Sequence, residues 1–346
     1  MCTSRSKRLM MNLLRSASRV SAVLAMLMYF NAFRLLRSCE ARPAIARDDF
    51  FISARVMRRL IHLCGLLLCL GTAQAQVRDF DRIIESGTLR VALYQNFPPY
   101  SYEEGGQPRG VDYELAKALA EGLGLKLELM WAPPGEKLDD DLRDYIWRGR
   151  VTAQGQLADV MLRVPYDRDY AQLRNELGEL VNERVVMFGP YQRERWQLAF
   201  DRRRLPEVPS IHALRQHPVG VEVESVPSFY LSSVHSGMLS QETRHYPTPK
   251  QAFAAMQGGE VDAVMALRGE VDWLVHEAKD PQLALAENAY PDMGRQIWEI
   301  GMAVHETNRQ LAYALEEQLE SLILDGSLER LYARYGLRFE RPEQYQ

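Results

Sequence analysis

The residues able to carry chemistry are few and widely spaced. All four cysteines lie early, at Cys2, Cys39, Cys64 and Cys69. From Gln76 onward there is no thiol, so the body offers no disulfide, no thiolate nucleophile and no cysteine metal site. Its histidines, His212, His217, His235, His245, His276 and His305, fall at no familiar metal-ligand spacing. No Gly-x-x-x-x-Gly-Lys phosphate loop, no Gly-x-Gly-x-x-Gly turn and no Gly-x-Ser-x-Gly elbow occurs. Carboxylates are many, yet spacing sets no pair apart. These absences weigh only weakly against catalysis, since catalytic groups can converge from anywhere in the chain; the expectation is no enzyme, and no metal or other cofactor.

Charge is unevenly placed along the 346 residues. Residues 1–75 hold 12 Lys and Arg against 3 Asp and Glu, which leaves 30 basic and 43 acidic residues for 76–346. A body at about −13 argues against nucleic acid and anionic lipid as partners. Met57-Arg58-Arg59, the apolar run Leu60 to Leu70, and Ala73-Gln74-Ala75 are the three regions of a secretory signal peptide in order. Cleavage after Ala75 is expected and places the product in the periplasm. Leu68 before Cys69 does not fit a lipidation site. Residues 1–56 are an upstream extension with two open readings: translation that truly starts at Met57, or a membrane-anchoring extension.

The elements that must position a site follow from periodicity. Leu89 to Leu93 alternates as a strand, and Asn96-Phe97-Pro98-Pro99-Tyr100 breaks it. Val111, Leu115, Ala118 and Leu119 form a helical stripe that stops near Gly122 and Gly124, and a second strand spans Leu125 to Trp131. Strand, helix, strand implies a parallel pair. The grammar returns at Val219-Gly220-Val221, in the helix Thr248 to Gln257 and in the strand Val261 to Met265. Leu311 to Leu322 makes a long amphipathic helix, and Ser327 to Tyr335 a short one.

Several segments resemble the family 3 extracellular solute-binding proteins, the polar amino-acid-binding components of ABC importers. They are Gly87 to Val91, Phe97-Pro98-Pro99-Tyr100-Ser101-Tyr102, Gly110 to Ala120, Gly259 to Val264, Gly301 to Val304 and Asp325 to Gly336. The resemblance implies an α/β, two-lobed periplasmic-binding-protein fold, each lobe a mixed sheet flanked by helices, joined by two crossover strands. The first lobe would be 76–190 plus 288–346 and the second 191–287. The crossings would lie near Phe188 to Leu198 and Leu285 to Ile300.

The same resemblance implies site residues. The arginine that grips a ligand carboxylate falls on Arg168, with Arg163 second; for each the plain alternative is a solvated surface arginine. The stacking aromatic falls on Phe97, and Tyr94 stands where an acid sometimes occurs. In the second lobe Ser225 alone keeps a hydroxyl. Leu267 replaces the acid that pairs with an α-ammonium, with Arg268 and Glu270 nearby. These departures imply a carboxylate-bearing ligand without a free α-amine, or a protein partner; the resemblance as a whole implies a small polar or carboxylate-bearing solute, bound by a monomer and passed to an ABC permease. The run Val164-Pro165-Tyr166-Asp167-Arg168 also resembles a subgroup linked to periplasmic quinoprotein dehydrogenases, which makes such a dehydrogenase the alternative partner. An enzyme like the cyclohexadienyl dehydratases is the third reading.

Overall fold

The computed structural model describes residues 77–150, 152, 155–287 and 290–346. The signal peptide read at 57–75 and the extension at 1–56 lie outside the described residues. Among the described residues no helix is long and apolar enough to cross a membrane.

Asp79 caps helix α1 (Phe80–Ser86) by accepting from the Arg82 amide, and Gly87 ends it in left-handed conformation. Strand β1 (Thr88–Tyr94) buries Leu89, Val91 and Leu93 fully. A hairpin of β2 (Tyr102–Glu104) and β3 (Gln107–Arg109) leads into helix α2 (Val111–Gly122), whose stripe Val111, Leu115 and Leu119 is buried. Strand β4 (Lys126–Ala132) then pairs parallel with β1, as the strand–helix–strand pattern implies. After helix α3 (Leu138–Leu142) comes β5 (Val160–Pro165), also parallel to β1, and the short helix α4 (Arg168–Ala171).

Strand β6 (Val185–Asp201) is 17 residues long and belongs to both halves of the molecule. Beyond it lie β7 (Val219–Glu222), α5 (Val226–Gly237), β8 (Thr243–Tyr246), α6 (Pro249–Gly258), β9 (Ala263–Leu267), α7 (Arg268–Ala278) and β10 (Leu283–Ala286). The chain returns through β11 (Ile297–His305) and closes with α8 (Arg309–Leu324) and α9 (Ser327–Arg334). The sheet order is β4-β1-β5-β11-β6-β9-β7-β8, with β10 also on β6. One end of β6 pairs with β11 up to Arg195; the other pairs with β9 and β10 from Trp196 onward. It is therefore one passage between the halves, and the segment from β10 to β11 is the other. This mixed sheet flanked by helices is the α/β periplasmic-binding-protein fold.

Each half has its own apolar core. Leu115, Leu119, Val91 and Tyr332 belong to the first, and Leu198, Val221, Leu231 and Met265 to a cluster in the second. Trp298 packs on the first and Trp196 on the second, and their rings meet at 5.1 Å. Two glycines allow the halves to approach closely. A Cβ on Gly269 would lie 2.3 Å from the Tyr100 hydroxyl, and one on Gly336 would lie 2.1 Å from the His276 ring.

Candidate functional site

Parallel α/β sheets usually take a ligand beyond the C-terminal ends of their strands, and here Tyr100, which follows β1, meets Gly269, which follows β9. At the meeting point stands Arg163 on β5, 7% exposed. Its backbone adopts φ +61°, a left-handed conformation rare for a side-chain-bearing residue. Its amide donates to the Tyr191 hydroxyl at 3.1 Å. The guanidinium donates to Asp112 from Nε at 2.5 Å and from Nη2 at 3.2 Å, and from Nη2 to Gln192 Oε1 at 2.8 Å. Its Cζ lies 3.4 Å from the centre of the Tyr100 ring. Burial pushes the Arg163 pKa down, but Asp112, together with Tyr191 and Tyr100, more than offsets that and holds it well above the usual arginine value, so the group stays charged.

The network continues onto β6. Gln192, Glu194 and Trp196 share one face of the strand, while Arg193, Arg195 and Gln197 share the other. The Tyr100 hydroxyl donates to Glu194 Oε2 at 2.5 Å, and Gln192 Nε2 donates to the same oxygen at 2.8 Å. Tyr332 donates to Gln192 Oε1 at 2.8 Å. From the second half, Glu270 on α7 reaches the cluster at 8% exposure. Burial, then the nearby Glu222 carboxylate, push its pKa up to about 8, so it is largely protonated at neutral pH. Glu194 and Arg163 are the other charged groups near it.

The residues singled out by the sequence meet different fates. Phe97 sits at the site, its ring 5.0 Å from Tyr100 and 5.9 Å from the Arg163 guanidinium. Arg163 is at the centre, and Asp112 and Gln192 already occupy two of its nitrogens. Arg168, ranked above it from the sequence, opens helix α4 as an exposed side chain. Tyr94 spends its hydroxyl on Asp141 at 2.8 Å. Burial, then Asp141, raise its pKa. Arg268 is 2% exposed and turns away from Arg163: its Nη2 donates to the Arg193 carbonyl at 2.8 Å, and its Nη1 pairs with Glu340. Ser225 is the N-cap of α5. Its Oγ accepts from the Ser228 amide at 3.2 Å and donates to the Glu222 carbonyl at 2.6 Å. Ser225→Ala is expected to cost about 1 kcal/mol of stability, as N-cap losses do; the midpoint of urea unfolding measures it.

Sequence reasoning missed Asp112, Tyr100, Gln192, Glu194 and Glu222 as members of the site. Asp112 was legible only as part of a helix start. The signal that bears on β6 is alternation: polar Gln192 and Glu194 are buried two residues apart on one face of the strand.

Residues 89–177 match the family of bacterial extracellular solute-binding proteins, family 3. Among curated relatives, cyclohexadienyl dehydratase of Pseudomonas aeruginosa is 38% identical over 111 residues, covering 31% of this chain and 41% of that protein. Membrane-bound lytic murein transglycosylase F of Pseudomonas putida is 26% identical over 287 residues, covering 78% of this chain and 50% of that protein. The matched stretches thus span half or less of these relatives' own length. Among solved structures, an ancestral cationic amino acid solute-binding protein superposes with a TM-score of 0.56 at 20% identity, over 74% of this chain and 98% of its own. An amino acid ABC transporter substrate-binding protein from Streptococcus pneumoniae bound to L-arginine gives 0.51 at 22% identity, with the same coverage. A polar amino acid uptake substrate-binding protein from Streptococcus thermophilus gives 0.56 at 14% identity, over 78% of this chain and 93% of that one. These likenesses establish the fold.

Proposed function

We propose that the protein captures a small polar solute between its two halves and delivers it to an ABC importer, acting by binding and not by catalysis. The observation that carries this reading is the buried network where the halves meet. Arg163, Tyr100, Gln192 and Glu194 bond to one another and to Asp112, and Glu270 of the second half joins them. A closing hinge needs such a meeting point, because contacts made only in the closed form convert ligand binding into closure.

The arginines bear on the class of solute. A carboxylate needs a free guanidinium. Arg163 is engaged by Asp112, Arg168 faces outward and Arg268 pairs with Glu340. Glu194 and Glu270 lie near Tyr100, with Glu222 near Glu270, and these carboxyls favour a solute that presents N–H donors or a cationic nitrogen, whose binding would draw the proton from Glu270. This reading departs from the carboxylate preference drawn from the sequence.

The test is a thermal-shift screen over the amino acids, simple amines and guanidines, dicarboxylates and quinone cofactors, followed by calorimetry. A solute with a cationic nitrogen should stabilise the protein by roughly 2.7 kcal/mol at a hundredfold excess over its Kd. Binding of dicarboxylates with none of the amines or guanidines would overturn the solute class. A quinone as the only binder would favour the dehydrogenase partner instead.

A further inference from the structure

We propose that the carboxy-terminal segment, residues 337–346, is a clasp that fastens helix α7 of the second half to the first half at the hinge. Helix α7 turns Arg268, Asp272 and His276 to one side, the i, i+4, i+8 spacing of a single helical face. That face meets the end of the chain. Asp272 is buried, and among the described residues every hydrogen bond its carboxylate accepts comes from Arg338: from the backbone amide at 3.2 Å, from Nε at 3.3 Å and from Nη2 at 3.2 Å. Arg338 Nη2 also donates to Gln197 on β6 at 3.4 Å.

Two residues further on, Glu340 pairs with the buried Arg268 and accepts from Arg195 Nη2 at 2.7 Å. Its carbonyl accepts from the Arg193 amide at 3.2 Å, so the segment bonds to the edge of the passage strand itself. Phe339 between them turns the other way and packs on Tyr332 of α9, ring centres 5.1 Å apart, which anchors the segment in the first core. Gly336 leads into the clasp at the place where a side chain would strike His276.

The electrostatics make this more than packing. Arg268 and Asp272 are charges of the second half whose counter-charges are Glu340 and Arg338 of the segment. Pulling the segment away strips both of their counter-charges, which is unfavourable wherever they stay shielded from water. Moving α7 relative to the first half therefore requires these pairs to break or to travel with the hinge. The inference rests on the two halves moving against each other, as the binding reading requires. It is independent of which solute is bound.

The test compares the wild type with Arg338→Ala and with Arg338→Ala/Glu340→Ala, by hydrogen exchange in α7 and by the radius of gyration of the unliganded protein. The clasp predicts exchange in α7 about tenfold faster, with α6 of the same half unchanged, and a larger radius of gyration. Unchanged exchange and radius in both variants would overturn it. Faster exchange in α7 without a change of radius would reduce the segment to local packing and overturn the hinge role. Equal acceleration in α6 and α7 would mean loss of stability throughout, and would also overturn it. Arg338 is half-exposed, so the single variant keeps the test open should the double variant fail to fold. Exchange in α7 needs no solute, so its outcome is separate from that of the screen.

Discussion

Asp112→Ala is expected to destabilise the protein by about 3–5 kcal/mol, the range for removing one partner of a buried ion pair. Asp112 and Arg163 are 1% and 7% exposed, and the pair is bidentate. Without the carboxylate, the guanidinium keeps Gln192 Oε1 and the face of Tyr100, neither of which carries a full negative charge. Tyr191 loses its acceptor as well, since its hydroxyl donates to Asp112 Oδ1 at 3.1 Å. The replacement Asp112→Asn should cost less, because the amide oxygen still accepts one bond. The measurement is the midpoint of urea unfolding at unchanged slope. A loss under about 1 kcal/mol for Asp112→Ala would show that Arg163 finds solvent or another partner, and that the network is not the closed unit described above.

The second large effect is on pH dependence. The Glu270 carboxyl is raised from 4.5 to about 8 by burial and by Glu222. For a carboxyl raised in the folded state, the sign is fixed. Below about 4.5 it is protonated folded and unfolded, and its burial carries no ionisation cost. Between about 4.5 and 8 the unfolded chain releases the proton and the folded protein holds it, so stability falls as pH rises. Above about 8 the loss is complete, having accumulated at on the order of 1.4 kcal/mol per pH unit across that window. Glu270→Gln keeps the shape and removes the titration. The wild type should lose several kcal/mol from this group between about pH 5 and 8.5, and the variant should have a flatter profile and be more stable at about pH 8.5. Parallel profiles for the two proteins would show that Glu270 ionises as an ordinary surface acid.

The fold was legible where side-chain period and turn chemistry agree. Leu89, Val91 and Leu93 announce β1, and Val111, Leu115 and Leu119 announce α2, because each pattern places a continuous apolar face. The site was legible only in part. Phe97 and Arg163 are both found through the family resemblance, Arg163 only as the second choice after Arg168. What the sequence lacks is direction. Arg168 holds the register of a ligand arginine, but Asp167 caps a short helix there by accepting from the Tyr170 amide, and the first residue of that helix points to water. Arg268 follows Leu267 directly, and the turn into α7 sends it to the opposite side from Glu270. Asp112 and Arg163 lie 51 residues apart, and no local rule pairs them. The tail from Leu337 onward is rich in Arg and Glu and looks like a solvated end until its charges are set against those of α7.

The most direct test of the binding account is small-angle scattering of the protein with and without the solute selected by the screen. Closure on a solute held between the halves predicts a smaller radius of gyration at saturation, with no change of mass. A tight solute that leaves the radius unchanged would contradict the account, since the site would then lie on one half alone and the meeting of Tyr100, Glu194 and Glu270 would have no part in binding.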